Sequence, residues 1–248
     1  MNAEITIKGK IYKTDLSKPI DISIPLRAGE ENVIAWYAPP VTIEPVRMGN
    51  WVGEVAQGAS VNFKTVTLNP HAHGTHTECV GHITKEFVSL NQNLKQFFFL
   101  AELVTVEPES LNDDRIIYKE QLVNVFKDSA AEAIILRTLP NTNKKQTLHY
   151  SNTNPPFLHH DAATWMVEKG IKHLLLDLPS VDKEKDEGKL LAHHAFWNTK
   201  GEMRYDATIT ELIYVDQKVP DGLYLLNLQI TSLENDASPS KPLLFSLQ

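Results

Sequence analysis

The sequence predicts a single α/β domain, rich in short strands and poor in helices. Three observations carry this expectation. Short apolar runs recur between turn residues, only two segments show a helical pattern, and no stretch reads as a linker. The first sixteen residues alternate polar and apolar side chains and lack the unbroken apolar run of a signal peptide. Runs at 61–68, 98–106, 133–137, 172–177, 208–215 and 223–230 are rich in Val, Ile, Phe and Thr and are expected as strands. Asp221-Gly222 marks a turn before the last of them. A helix is expected over 118–126, with Leu122, Val125 and Phe126 on its apolar side. Asp161 is expected to cap a second helix through Trp165, Met166 and Val167, which Gly170 ends in the left-handed conformation. That helix runs into the strand at 171–177, an αβ unit. The loops at 139–145 and 181–189 are polar and too short to join domains, so residues 1–248 are expected to form one domain.

Composition narrows the function. With 42% hydrophobic and 22% charged residues the chain can bury a core, as a globular cytoplasmic protein would. A formal charge of −7 without a Lys/Arg cluster argues against nucleic acid or an anionic membrane as partner. The most apolar stretch, 97–106, is interrupted by Glu102 and is too short to span a bilayer. Cys79 is the only cysteine, which excludes an intrachain disulfide and a cysteine-based zinc knuckle.

Histidine is concentrated where chemistry is expected. Ten histidines in 248 residues put about half of one in an average twelve-residue window, yet His71, His73, His76 and His82 share one such window with Glu78. Imidazole and carboxylate suit Zn²⁺, Mn²⁺ and similar ions. In an extended segment His76 and Glu78 face the same way, and His82 keeps that parity. Gly74 permits a turn that would bring His71 or His73 back toward them. The competing reading is a solvated histidine-rich loop, or an ion held for structure alone. A second group, His193-His194 followed by Glu211 in an otherwise apolar run, favours the site, because burying a lone carboxylate costs several kcal/mol. A salt-bridged or edge-exposed Glu211 is the competing reading. His149, His159 and His160 are expected at the surface and His173 in packing.

These residues resemble the cyclase-like family that includes bacterial kynurenine formamidases. The family motif His-x-Gly-Thr-His-x-Asp-x-Pro-x-His is similar to the segment from His71 to His82. Ile20-Asp21-Ile22-Ser23, Leu176-Asp177-Leu178-Pro179-Ser180-Val181-Asp182, His193-His194-Ala195-Phe196, Ile209-Thr210-Glu211 and Ser238-Pro239 follow the family pattern in the same order. The resemblance implies a β-rich, barrel-like centre of mixed strands with few peripheral helices (a swivelling β/β/α arrangement), a homo-oligomer, and one or two divalent ions, zinc first and manganese next. It implies His71, His76, Glu78, His193 and Glu211 as metal ligands, with His73 and His194 as the second choices at their positions. Glu78 and His82 are the implied catalytic residues, His82 carrying a proton to the leaving amine. Three positions depart from the pattern: Ala72 stands where the family has its first histidine, Glu78 replaces aspartate, and Val80 replaces proline.

The reaction implied is hydrolysis of a small-molecule amide, N-formylkynurenine to kynurenine plus formate in the family. Another amide, a lactone or a cyclic substrate at the same site is the alternative, as is a metal-binding protein without turnover. Asp177, Ser180 and Asp182 are expected to build a turn in preference to orienting ligands. Trp36, Tyr37 and Trp197 are candidates for an aryl pocket, although tryptophan more often fills a core.

Overall fold

The computed structural model describes residues 1–127 and 130–248. Its centre is a closed barrel, for which we number the strands β1 (Ile20–Asp21), β2 (His76–Glu78), β3 (Phe98–Val106), β4 (Ala133–Thr138), β5 (His173–Leu176), β6 (Thr208–Glu211), β7 (Gly222–Ile230) and β8 (Ala237–Ser246). Seven strands follow one another in space as β7-β3-β4-β5-β6-β2-β8, and β8 pairs with β7 to close the ring, while β1 pairs with β8 outside it. Strands β3 to β6 run parallel and the remaining barrel pairings are antiparallel. Closure leaves no ring strand with an unpaired edge, which is how an all-paired ladder avoids edge-to-edge association. This is the strand-rich α/β barrel that the family resemblance implies.

Strand parity divides the core in two. Phe99, Ala101, Leu103, Ala133, Ile135, Leu175, Leu226 and Leu244 pack together inside the ring. The alternate residues Val104, Val106, Ile134, Leu136, Leu174, Leu176 and Ile209 face outward, against helices α2 (His160–Glu168) and α3 (Leu191–Phe196). Each fully buried aliphatic side chain of this kind contributes about 1.5–3 kcal/mol, so both layers are needed. Helix α1 (Lys119–Val125) buries Leu122 against the same outer layer. Among the described residues no helix is long and apolar enough to cross a membrane.

Several sequence expectations shift. The run at 61–68 forms only Lys64–Thr67, an exposed strand paired with Thr42–Pro45 outside the barrel. The strand expected over 208–215 stops at Glu211, because Leu212 turns into the left-handed region (φ 54°). Helix α2 begins earlier than Asp161, with His159 at its cap, since the His159 N–H still bonds back to the Ile117 carbonyl and the helix starts directly after it. Asp161 sits in the first turn, where a carboxylate complements the positive helix end. Gly170 adopts the left-handed conformation expected of it (φ 78°).

Candidate metal centre

The period-two geometry of β2 turns His76 and Glu78 to one face, and antiparallel pairing with β6 sets Glu211 opposite His76 and Ile209 opposite Glu78. Ile209 belongs to the outer layer under the helices, so these three polar side chains open toward α3 rather than into the barrel. On the other face, Thr77 and Thr210 share a 2.8 Å hydrogen bond.

The turn before β2 decides which upstream histidine joins them. Asn69 organises it: its carbonyl accepts from the N–H groups of Ala72 and His73, and its side chain accepts from the N–H of His71. Gly74 follows at φ 68°, with Leu26 so near that a Cβ would lie 2.6 Å from its Cδ2. The result swings His71 over Glu78, Nδ1 to Oε2 at 3.0 Å. His73 turns away, its Nε2 2.8 Å from the Pro39 carbonyl and its Nδ1 accepting from the Asn69 N–H. Ala72, at the family's histidine position, is buried.

His193 enters from α3, whose first residue follows Leu190 in the left-handed region (φ 44°). The Asp182 carboxylate accepts from the N–H groups of Ala192 and His193, capping a helix end that no side chain of its own caps. The same carboxylate takes the His193 Nδ1–H at 2.6 Å, leaving Nε2 3.3 Å from Glu78 Oε1. Orienting a histidine thus comes first for Asp182, a correction to its expected role in the turn. Ser180 does serve that turn, accepting from the Asp182 N–H, and Asp177 is committed elsewhere, to Lys145. His194 is bonded to Thr199 and takes no part.

Three imidazoles share one arrangement. His71 Nε2 is held by Asp236 at 2.8 Å, His76 Nδ1 by the Gly74 carbonyl at 3.1 Å, and His193 Nδ1 by Asp182. Holding one ring nitrogen as a donor leaves the other with its lone pair, which is how proteins prepare histidine for a metal. The free nitrogens face Glu78 and Glu211, with His76 Nε2 3.4 Å from Glu211 Oε2. Three of the atoms involved, His76 Nε2, Glu78 Oε1 and His193 Nε2, are buried without a hydrogen-bond partner. Ligand atoms of His71, His76 and Glu78 lie within 4.8 Å of one another, as do those of Glu78, His82 and His193. The donor set and its unpartnered buried atoms fit one or two divalent ions.

Electrostatics agree with this geometry. Burial disfavours charge on Glu78, but His82, His193 and His71 hold its carboxyl well below the usual range. Glu211 is pushed upward by burial and by the charge of Glu78. Burial also opposes a charged His71, yet Asp236 and Glu78 lift it to about 10. Asp182 and Glu78 overcome burial in the same way at His193, also to about 10. In the metal-free protein, protons on these two rings balance the buried carboxylates.

His82 stands at the rim, about a third exposed, stacked on His71 with ring centroids 4.2 Å apart. Its Nδ1 lies 3.5 Å from Asp236 Oδ2 and its Nε2 3.9 Å from Glu78 Oε2. Asp236 was not singled out from the sequence. Only its position one residue before β8, next to Ser238-Pro239, could have drawn attention to it. The centre opens into a cavity of about 300 Å³ lined by Trp36, Asn69, His71, His82, His193 and Glu211 among others. Of the aromatic candidates only Trp36 lines it. Trp197 is buried behind His193, and Tyr37 is exposed and bonded to Asn152 and Glu184. His149 is half-exposed, and His159 and His160 form with Asp161 a separate surface group. His173 is buried on Thr208 and Phe99.

Known proteins resemble this chain in sequence and fold. A kynurenine formamidase of Bacillus cereus is 30% identical over 231 residues, covering 90% of this chain and 95% of the relative. A solved structure described as a potential metal-dependent hydrolase with cyclase activity superposes with a TM-score of 0.65 at 17% identity, covering 92% of this chain and 97% of the other. Isatin hydrolase A from Labrenzia aggregata superposes at 0.68 and 11% identity, with 93% and 94% covered. Residues 14–183 match the Cyclase family model, described as Putative cyclase. The chain therefore belongs to the Cyclase family.

Proposed function

We propose that this protein is a metal-dependent hydrolase that cleaves amides, with N-formyl aryl amines as its substrate class. The observation that carries the reading is the set of three imidazoles, each held at one nitrogen, whose other nitrogens converge on two buried carboxylates. Solvated surface histidines need no such support, and a structural ion needs no adjoining cavity with a partly exposed imidazole at its rim. His71, His76, Glu78, His193 and Glu211 would hold the ion, zinc or manganese by donor type. When bound, the ion supplies Lewis acidity toward a carbonyl and acidifies water.

The chain's own residues do the rest. Glu78 reaches His71 through one oxygen and His193 through the other, so it ties the β2 side of the centre to the α3 side. Glu211 accepts the Val181 N–H at 3.1 Å and is held facing His76. Asp236 holds His71 and His82 together, so the ring that carries a proton stays beside a ligand ring. Water entering from the cavity would add to the formyl carbon and pass one proton to His82, which would return it to the departing nitrogen as the C–N bond breaks, so that formate and amine leave. Support for the formamide class comes from the Bacillus relatives, kynurenine formamidases by name. The slipped histidine, Glu78 and Val80 set this chain apart from the family motif.

The test is hydrolysis of an N-formyl aryl amine by metal-loaded protein, run beside a lactone and a cyclic amide. Turnover that chelator and Glu78→Ala both abolish is expected. No turnover of any of the three at full metal occupancy would sink the reading.

A further inference from the structure

Outside the centre, one other group among the described residues gathers metal-binding atoms. His159, His160 and Asp161 stand where the chain turns into α2, and one ligand atom from each lies within 4.8 Å of the other two. The Asp161 carboxylate reaches both rings. Its Oδ2 is 3.4 Å from His159 Nδ1, and its Oδ1 is 3.4 Å from His160 Nε2. Both separations exceed an ordinary N–H···O hydrogen bond of about 2.7–3.2 Å. They match the spacing of two ligands on one ion, because bonds of about 2.0–2.2 Å at a tetrahedral angle set donor atoms about 3.4 Å apart. The backbone beneath is fixed. The His159 N–H donates to the Ile117 carbonyl at 2.9 Å, and the His159 carbonyl accepts from the Ala162 N–H at 2.9 Å. The His160 carbonyl takes the Thr164 hydroxyl at 3.1 Å, and the His159 ring packs on Tyr118 with centroids 5.5 Å apart. Little ordering is left for a ligand to impose.

We infer that His159, His160 and Asp161 form a second site, on the surface, for a divalent transition ion such as Zn²⁺ or Ni²⁺. A helix start repels a cation, so the Asp161 carboxylate is the member that offsets the positive end of α2. Two imidazoles and a carboxylate suit borderline ions and not Mg²⁺, which demands oxygen ligands. Beside the group lies a cavity of about 360 Å³, lined by His159, His160, Lys183, Asp186 and Glu187 among others. Water or a carboxylate of its wall can take the remaining positions on the ion. The lysines there are engaged, Lys183 with Asp114, Lys189 with Glu187 and Lys185 with Asn152. The new site shares no ligand with the centre, yet the two cavities share Asp182, Lys183 and Asp186 as a common wall. It offers fewer ligands, all partly exposed, so it fills after the centre.

The probe is Ni²⁺, titrated calorimetrically into untagged protein carrying whatever zinc its centre retains, with ¹H–¹⁵N spectra locating the paramagnetic ion by line broadening. A single further equivalent is expected, with broadening centred on residues 158–162 and no competition from Mg²⁺. His160→Ala and Asp161→Ala should each weaken it by at least about 10–100-fold while zinc content at the centre and the fold stay unchanged. Both substituted side chains are well exposed, so neither variant threatens folding. No saturable equivalent in the wild type overturns the inference. Broadening centred on His149 or on the centre, or an affinity unchanged in His160→Ala, overturns it equally. If the centre holds no zinc, the metal-hydrolase reading fails, and the comparison of wild type with His160→Ala still decides the surface site.

Discussion

Two buried carboxylate clusters among the described residues are finished differently. Asp177 accepts from Lys145 Nζ at 2.7 Å, from Thr138 Oγ1 at 2.8 Å and from the Thr138 N–H at 3.0 Å. Lys145 spends its remaining donors on the Thr138 carbonyl and hydroxyl. Burial raises Asp177 and lowers Lys145, yet every polar atom of the pair has a partner. Glu78 and Glu211 are as deeply buried, but their cluster leaves a carboxylate oxygen and two imidazole nitrogens unpartnered. The first cluster is complete as a structural ion pair. The second keeps buried donor atoms without partners, of a kind that could hold a cation, and that difference sets it apart from the first.

The largest expected effect falls on the open cluster. Glu78→Ala should lower turnover by about a thousandfold or more, because several kcal/mol of metal-assisted stabilisation go with it. Zinc content by mass spectrometry should fall together with the rate. A variant that keeps both would break the contrast. In the closed cluster, Lys145→Met should leave zinc content intact and destabilise folding by about 3–5 kcal/mol, since buried Asp177 loses the opposite charge that compensates its own. Urea unfolding of metal-free protein measures this.

Acidity sharpens the comparison further. His71 and His193 have pKa values near 10 without metal but must be neutral as ligands. Two protons then leave on binding, so zinc affinity should rise about a hundredfold per pH unit near neutrality. The metal-free protein should behave oppositely. Both pKa values are raised above those of unfolded histidine, so their stabilisation is complete below about pH 6.5 and is lost as pH climbs toward 10. Competition with a chelator of known affinity and thermal melts across pH 6.5–9 check the two signs.

Smaller effects follow from the groups behind the ligands. Asp236→Asn should weaken zinc binding by about 10–100-fold while the fold persists. Asp182→Ala should do the same and remove about 1 kcal/mol of helix capping. The smallest effect has the reverse sign in stability. Glu211→Gln should stabilise the metal-free protein by about 1 kcal/mol, because it removes a like charge from Glu78, and should weaken zinc binding. Loss of stability in that variant would mean that Glu211 belongs with Asp177 as a structural carboxylate.

Much of this protein is written locally. Strand β3 coincides with an apolar run, α1 with its periodic stripe, and Gly170 with the end of a helix. The pairing of His76 with Glu78 on one face follows from strand geometry alone, and the histidine density around them marks the site. Other features depend on closure of the barrel. The Asn69 turn and the Leu26 side chain behind Gly74 place His71, and not His73, beside Glu78, and Asp182 places His193, and not His194, there. Asp236, far along the chain, meets His71 only because β8 pairs with β2. Local periodicity reports which face a side chain takes. Which atoms from distant segments meet within hydrogen-bonding distance is decided by strand order and register, and those exist only once the ring has closed.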